Sequence, residues 1–457
     1  MTKLLLLTLL TYTTLATTSI TSLLKKYGVK EDQIGISILN KSGKEIYKLN
    51  ENTKFIPAST FKIISAYYIL KNSNIDKSFE TSLSIDGKIE GNTLEGNLVI
   101  HSEGNPFFLS SDLIALLYEL KNRGVTKITG TIKLTGNLPE LMSIGDVGLD
   151  DQSYNQGISS FNLNFNRFRL FNLRNGSFLT IPYLKALNIV KNHAPMTPGE
   201  ILKRNYKSED IEEWHYQRSS GNKFEIPIRN TKAVYLSYVE NILNKFEITF
   251  SNNTDGQKKG ELTNIARVSS PPIKRLVELA LEYSNNLFIE TLMLHTTKAK
   301  NLDEASKKIS QYLMSKKLIT EDLQINRASG LSTKMEISPR VFSSIISKIY
   351  NDKIEDKFFF SYLSLAGSTG FLAKNYLSKE TFENFYAKTG SLDYINNICG
   401  LWIKGEEKFF CIMINDKKLR VKLDGPNSEE NEDLRQTAKK WKNAKDQLLE
   451  ELISVLF

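Results

Sequence analysis

A serine and a lysine three residues apart, Ser59 and Lys62, stand in Pro57-Ala58-Ser59-Thr60-Phe61-Lys62-Ile63-Ile64-Ser65-Ala66. The apolar residues that follow predict the start of a buried helix, and positions i and i+3 share one helix face. Such a face presents a hydroxyl nucleophile beside an amine that acts as its base when neutral, with no histidine required. Two motifs downstream turn the pair into a candidate site: Ser284-Asn285-Asn286, then Lys388-Thr389-Gly390 with Ser391 after it.

The chemistry is coherent. Burial and a second cation, Lys388, would both keep Lys62 neutral. Ser284 would pass a proton from Lys62 toward a leaving amine, and Asn286 would hold Lys62 or the substrate amide. General acid–base help of this kind is worth about 10²–10⁴-fold in rate. The backbone N–H groups of Ser59 and Ser391 would form an oxyanion hole, each such donor contributing about 3 kcal/mol. Lys388 and Thr389 would take a substrate carboxylate, with Gly390 and Ser391 completing the binding strand.

Each motif alone is weak. Ser22-Leu23-Leu24-Lys25 and Ser220-Gly221-Asn222-Lys223 repeat the Ser-x-x-Lys spacing, Ser153-Tyr154-Asn155 and Ser251-Asn252-Asn253 repeat Ser-x-Asn, and Lys41-Ser42-Gly43 resembles the third motif. Taken singly, Lys62 reads as a surface lysine, Ser284 as a helix cap and Thr389 as an ordinary strand residue. Those readings leave the shared order unexplained: only Ser59, Ser284 and Lys388 fall in sequence on a buried helix start, a helical region and a strand.

Metal chemistry finds no support, because His101, His193, His215 and His295 are scattered and no His-x-x-x-His or Cys-x-x-Cys spacing exists. No glycine-rich phosphate loop or dinucleotide fingerprint is present either, so no cofactor is expected. The net charge of +9 would suit an anionic surface. Lysine and glutamate are interleaved along most of the chain, without an arginine-rich block, so the basicity reads as solvated surface rather than a nucleic-acid footprint.

Met1-Thr2-Lys3 and the apolar, threonine-rich run to Ala16 read as a signal peptide over residues 1–16. An uncleaved N-terminal anchor is the alternative. No cysteine follows the run, which argues against a lipid anchor, and the mature protein is expected outside the cytoplasm. The two cysteines, Cys399 and Cys411, lie in alternating runs joined by a turn near Lys404-Gly405-Glu406, which sets them across from each other. A disulfide and a pair of buried thiols both fit, and neither thiol reads as a nucleophile.

Gln33 to Leu39 and Lys44 to Leu49 read as a hairpin, with the Ser59 helix next. Residues 80–266 have another texture: β segments over Gly87–Gly96 and Asn97–His101, a helix over Ser111–Asn122, a strand over Val125–Leu134, then irregular chain from Asn162 to Ser251. They read as an inserted accessory region of mainly β structure. Helical spacing returns over Ile273–His295, near Leu302–Lys316 and after Ser338-Pro339. Three strands follow, the first carrying Lys388. Asn431–Phe457 reads as a long helix whose apolar face (Leu448, Leu449, Leu452, Leu456, Phe457) packs on the sheet or contacts a membrane surface.

The three motifs resemble those of the D-alanyl-D-alanine carboxypeptidase/endopeptidase family, the class C low-molecular-mass penicillin-binding proteins. Gly104-Asn105-Pro106, Ser270-Pro271-Pro272, Glu290, Ser329-Gly330-Leu331-Ser332 with Ser338-Pro339, and Ala366-Gly367 with Gly370 and Leu372 extend the similarity over nearly the whole mature chain. The resemblance implies an α+β transpeptidase-like domain, an antiparallel sheet flanked by helices, over residues 22–79 and 267–457, split by the insertion. It implies acylation of Ser59 by D-Ala-D-Ala stem peptides of peptidoglycan, loss of D-alanine, hydrolysis, and covalent trapping by β-lactams, in the periplasm. It also implies that Asp150 or Asp151 meets a substrate amino group, and Asp151 joins the binding set. Thr333 and Met335 depart from the Arg and Asn common in the family, and Asn105, Asn285 and Thr369 from its Asp. The Thr333 change removes a cation for a diaminopimelate carboxylate. A serine β-lactamase or esterase on the same fold and an inactive wall-binding protein are the competing readings.

Overall fold

A computed structural model describes residues 19–145, 147–148, 151–173, 177–184, 187–191, 202–204, 212–216, 224–251, 261–376, 381–424 and 432–457. The signal-peptide expectation, Asp150 and the Ser220 decoy lie outside the described residues.

Six strands form the sheet that carries Lys388, in the order Ser364–Leu365, Phe385–Leu392, Ile395–Trp402, Lys408–Asn415, Ile34–Asn40, Glu45–Leu49. Every neighbouring pair is antiparallel. Ile395–Trp402 is buried along its whole length, as a strand covered on both faces must be. Side chains alternate between two cores. Cys399, Leu401, Cys411 and Met413 join the core shared with helices Lys62–Asn72, Ile273–Glu282, Asn286–Thr297, Leu302–Ser315 and Pro339–Ile349. Ile398, Trp402, Phe410 and Ile412 face the opposite way, onto the terminal helix Glu432–Leu456. Cys399 and Cys411 occupy one cross-strand position and are joined as a disulfide.

The terminal helix uses its apolar stripe inward. Leu448, Leu449, Leu452 and Ile453 are fully buried against the sheet, and the Phe457 ring stacks on Trp402 at 4.7 Å. Of the two placements read for this face, packing on the sheet accounts for these buried residues. No described helix is long and apolar enough to cross a membrane. Residues 19–26 are also helical, and Ile20 and Leu24 are buried in the same core.

A second sheet comprises Thr249–Phe250, Lys127–Ile128, Thr93–Ser102, Glu80–Glu90 and Leu262–Ser269, with Ile132–Gly136 beside Thr93–Ser102. Its core is drawn from residues between Leu83 and Ile248. The first hairpin turns at Glu90–Thr93, and Gly87 and Gly96 pair within it rather than bounding a segment. The strand read over Val125–Leu134 is two short ones. The stretch read as irregular holds several strands and the helix Thr231–Lys245, whose Val234, Tyr235, Tyr238, Val239, Ile242 and Leu243 are buried at helical spacing.

Candidate active site

Ser59 sits in a 3₁₀ turn, Ala58–Phe61, that feeds the helix Lys62–Asn72. Ala58 just before it has φ 48°, the left-handed region that costs an L-residue about 1–2 kcal/mol. The surroundings hold that turn in place. Asn397 Nδ2 donates to the carbonyls of Ile56 at 2.9 Å and Pro57 at 3.0 Å. The Ile56 N–H donates to Asn415 Oδ1 at 2.7 Å. Two glycines close on it from either side: a β-carbon on Gly330 (φ 79°) would lie 1.9 Å from the Ala58 oxygen, and one on Gly390 2.9 Å from the Ser59 nitrogen. Only glycine at 330 and 390 permits this approach.

Lys62 is fully buried. Its Nζ lies 2.8 Å from Ser59 Oγ and donates to Asn286 Oδ1 at 2.6 Å and to the Ser329 carbonyl at 2.7 Å. The Asn286 amide is oriented by its other end, because Nδ2 donates to the Tyr154 carbonyl at 2.8 Å. Two acceptor-only oxygens therefore take two amine hydrogens. In a neutral amine the remaining valence is a lone pair, and it points at the Ser59 hydroxyl. Burial, and then the charge of Lys388, push the Lys62 pKa well below its ordinary value, with Glu290 acting in the opposite sense. Burial alone pushes Lys388 down to about 7. A neutral lysine is the form a general base requires.

Ser284 lies at the break between Ile273–Glu282 and Asn286–Thr297, with φ 54°. With Ser59 and Asn286 it lines a cleft of about 670 Å³, but it makes no hydrogen bond to Lys62, whose partners are Ser59, Asn286 and Ser329. Lys388 is buried on the strand Phe385–Leu392 and donates to the Thr389 carbonyl at 2.9 Å. Ser391, farther along that strand, lines the cleft and donates to Asn396 Oδ1 at 2.9 Å. Asp151 does not line the cleft. It accepts from Gln152 Nε2 at 3.2 Å, while Gly148, Gln152 and Tyr154 form that wall.

Other lining residues belong to no motif. Gln436, Lys439 and Lys442 of the terminal helix and Arg167 of the inserted region also line the cleft. Asn397 and Asn415 were missed too, since each acts across more than 340 positions of sequence on Ile56. Among the described residues no group of three or more His, Cys, Asp or Glu is placed to hold a metal ion.

Residues 16–439 match the D-Ala-D-Ala carboxypeptidase 3 (S13) family. Over 397 residues the chain is 23% identical to D-alanyl-D-alanine carboxypeptidase DacB of Haemophilus influenzae, covering 80% of this chain and 81% of that protein. Its fold is similar to the crystal structure of penicillin binding protein 4 (dacB) from Haemophilus influenzae, with a TM-score of 0.70, 22% identity, and coverage of 87% of this chain and 93% of the other. The same protein complexed with a novel β-lactam aligns with a TM-score of 0.67 at 22% identity, covering 84% and 90%. The family match spans nearly the whole sequence, and the penicillin-binding fold is shared. This chain belongs to the D-Ala-D-Ala carboxypeptidase 3 (S13) family of serine peptidases.

Proposed function

We propose that this chain is an exported DD-peptidase of the periplasm that cleaves D-Ala-D-Ala termini or D-Ala cross-links of peptidoglycan stem peptides through an acyl-enzyme on Ser59. The observation that carries the reading is the Lys62 amine, its two hydrogens engaged by Asn286 Oδ1 and the Ser329 carbonyl and its third valence aimed at Ser59 Oγ 2.8 Å away. Lys62 takes the hydroxyl proton as Ser59 attacks the carbonyl of the penultimate D-alanine. The N–H groups of Ser59 and Ser391 hold the oxyanion. The proton then passes to the departing amine, with Ser284 on the cleft wall as the relay, and water repeats the cycle to release the acid. Lys388 and Thr389 hold the terminal carboxylate. Asp151, which accepts from the cleft residue Gln152, is the candidate for the substrate amino group.

The peptidase unit comprises residues 22–79 and 267–457, and residues 80–266 are an accessory unit. Export is supported by the leader-like first residues and by a structural disulfide, which persists in oxidising compartments. β-Lactams would trap the enzyme by acylating the same serine. The test is mass spectrometry of the protein after incubation with a fluorescent penicillin and, separately, with wall fragments. The expected result is a stable adduct on Ser59 that Ser59→Ala abolishes, together with loss of one alanine or splitting of cross-links. Rapid turnover of the adduct would instead make the chain a β-lactamase. No adduct and unchanged fragments would make it an inactive wall-binding protein.

A further inference from the structure

The terminal helix reaches the active-site strand through one chain of hydrogen bonds. Ser391 Oγ donates to Asn396 Oδ1 at 2.9 Å, Asn396 Nδ2 donates to Asp446 Oδ1 at 2.8 Å, and Lys442 Nζ donates to Asp446 Oδ2 at 2.6 Å. Ser391 and Asn396 are cross-strand partners, and Asn396 is 1% exposed. Asp446 and Lys442 lie one turn apart on the terminal helix.

Each link is directional. An ionised carboxylate only accepts, so Asp446 can face only the amide nitrogen of Asn396. That orients the amide and leaves its oxygen toward Ser391. A serine hydroxyl has one hydrogen, and here it is committed to Asn396. What Ser391 turns toward the cleft is therefore a lone pair. We propose that Asp446 is a positioning residue of the active site: through Asn396 it holds the Ser391 hydroxyl as a hydrogen-bond acceptor for a substrate N–H. Lys442, itself a cleft residue, fixes the carboxylate at the far end. The inference rests on the DD-peptidase reading and extends it. The Ser391 side chain selects an amide hydrogen of the bound peptide, and the terminal carboxylate falls to Lys388 and Thr389.

Asp446→Ala removes the carboxylate that fixes the orientation of the Asn396 amide. The amide can then turn its nitrogen to Ser391, which reverses the polarity of the hydroxyl. The experiment is a double-mutant cycle on hydrolysis of a peptide ending in D-Ala-D-Ala, using Asp446→Ala, Ser391→Ala and the pair in the full-length protein. Asp446→Ala is expected to raise KM on the order of tenfold with kcat nearly unchanged, the pattern of a lost uniform binding contact. In the Ser391→Ala background it should add nothing further. Asp446→Asn keeps an oxygen acceptor and should restore most of the loss. Additive effects, an unchanged KM, or equal losses in Asp446→Asn and Asp446→Ala would overturn the assignment. If Asp446→Ala does not fold, Asn396→Ala removes the middle link and must show the same non-additivity with Ser391→Ala. Failure of the unmutated protein to hydrolyse the peptide or label with penicillin would count against the enzyme reading itself. An active enzyme indifferent to Asp446 would count against the relay alone.

Discussion

Glu290 Oε1 accepts the Ser329 N–H at 2.7 Å, and the carbonyl of the same Ser329 accepts from Lys62 Nζ at 2.7 Å. A buried carboxylate thus anchors the residue whose carbonyl orients the base, without a hydrogen bond to the base itself. Its second oxygen has no hydrogen-bond partner, and burial raises its pKa. Glu290→Gln keeps an oxygen for the Ser329 N–H but removes the charge that opposes the depression of Lys62. The Lys62 pKa should fall, so the acid limb of penicillin acylation against pH should move to lower pH. Glu290→Ala leaves the Ser329 N–H unpaired and should cost about 1–3 kcal/mol in stability with slower acylation. An unchanged pH profile in Glu290→Gln would remove the electrostatic role.

Lys388 ties both stability and activity to pH. Its folded pKa of about 7 lies below the ordinary 10.5, so between those values the unfolded chain binds a proton that the folded chain does not. Stability then rises with pH through that window, by at most about 1.4 kcal/mol per unit for one such group. Lys62, also depressed, adds to the same slope. Lys388→Met should flatten the rise in Tm between pH 7 and 9.5. It also removes the cation that lowers Lys62, so the acid limb of acylation should move to higher pH. A Tm profile with the original slope in the variant would contradict the assignment.

Gly390 is a contact between two active-site segments. An added β-carbon would lie 2.6 Å from the Pro57 oxygen and 2.6 Å from the Thr60 nitrogen, both backbone atoms that cannot rotate away. Gly390→Ala should push the strand off the Ser59 turn, costing about 1–3 kcal/mol as overpacking does. Penicillin acylation should fall by more than the stability loss explains, because the Ser59 and Ser391 N–H groups move apart. The check is acylation rate against urea midpoint. A variant that acylates at the original rate would show that the strand and the turn do not share an oxyanion site.

The same contrast explains what sequence reading reached. The Ser59, Ser284 and Lys388 motifs are short, and each announces itself through local periodicity: a helix start, a helix break, a strand. Helix caps at Ser338 and the hairpin after Ile34 were legible for the same reason. The helix Thr231–Lys245 carried its period too, but it is embedded between short strands of polar, aromatic-rich chain whose pairing is non-local. Gln436, Lys439 and Lys442 reach the cleft only because the terminal helix packs on the far side of the sheet, a placement no spacing within 432–456 encodes.

Asn397 gives the last test. Fully buried, it donates to the Ile56 and Pro57 carbonyls, while its Oδ1 accepts from the Ile414 N–H at 3.1 Å and from Asn415 Nδ2 at 3.0 Å. One side chain thereby satisfies four buried polar groups and ties the approach to Ser59 onto the central strands. Asn397→Ala leaves those groups without this partner, and each unsatisfied buried group costs about 1–3 kcal/mol. Asn397→Asp keeps the size but puts an acceptor against two carbonyl oxygens, replacing attraction by repulsion in a dry site. Both variants should lower the urea midpoint, and both should slow acylation of the protein that remains folded, because the left-handed Ala58 loses its restraint. Asn397→Asp should recover in part at low pH, where the carboxylic acid can donate one hydrogen bond. Equal damage at all pH values would reduce Asn397 to a packing residue, whereas recovery on protonation would show that its donors hold the nucleophile in place.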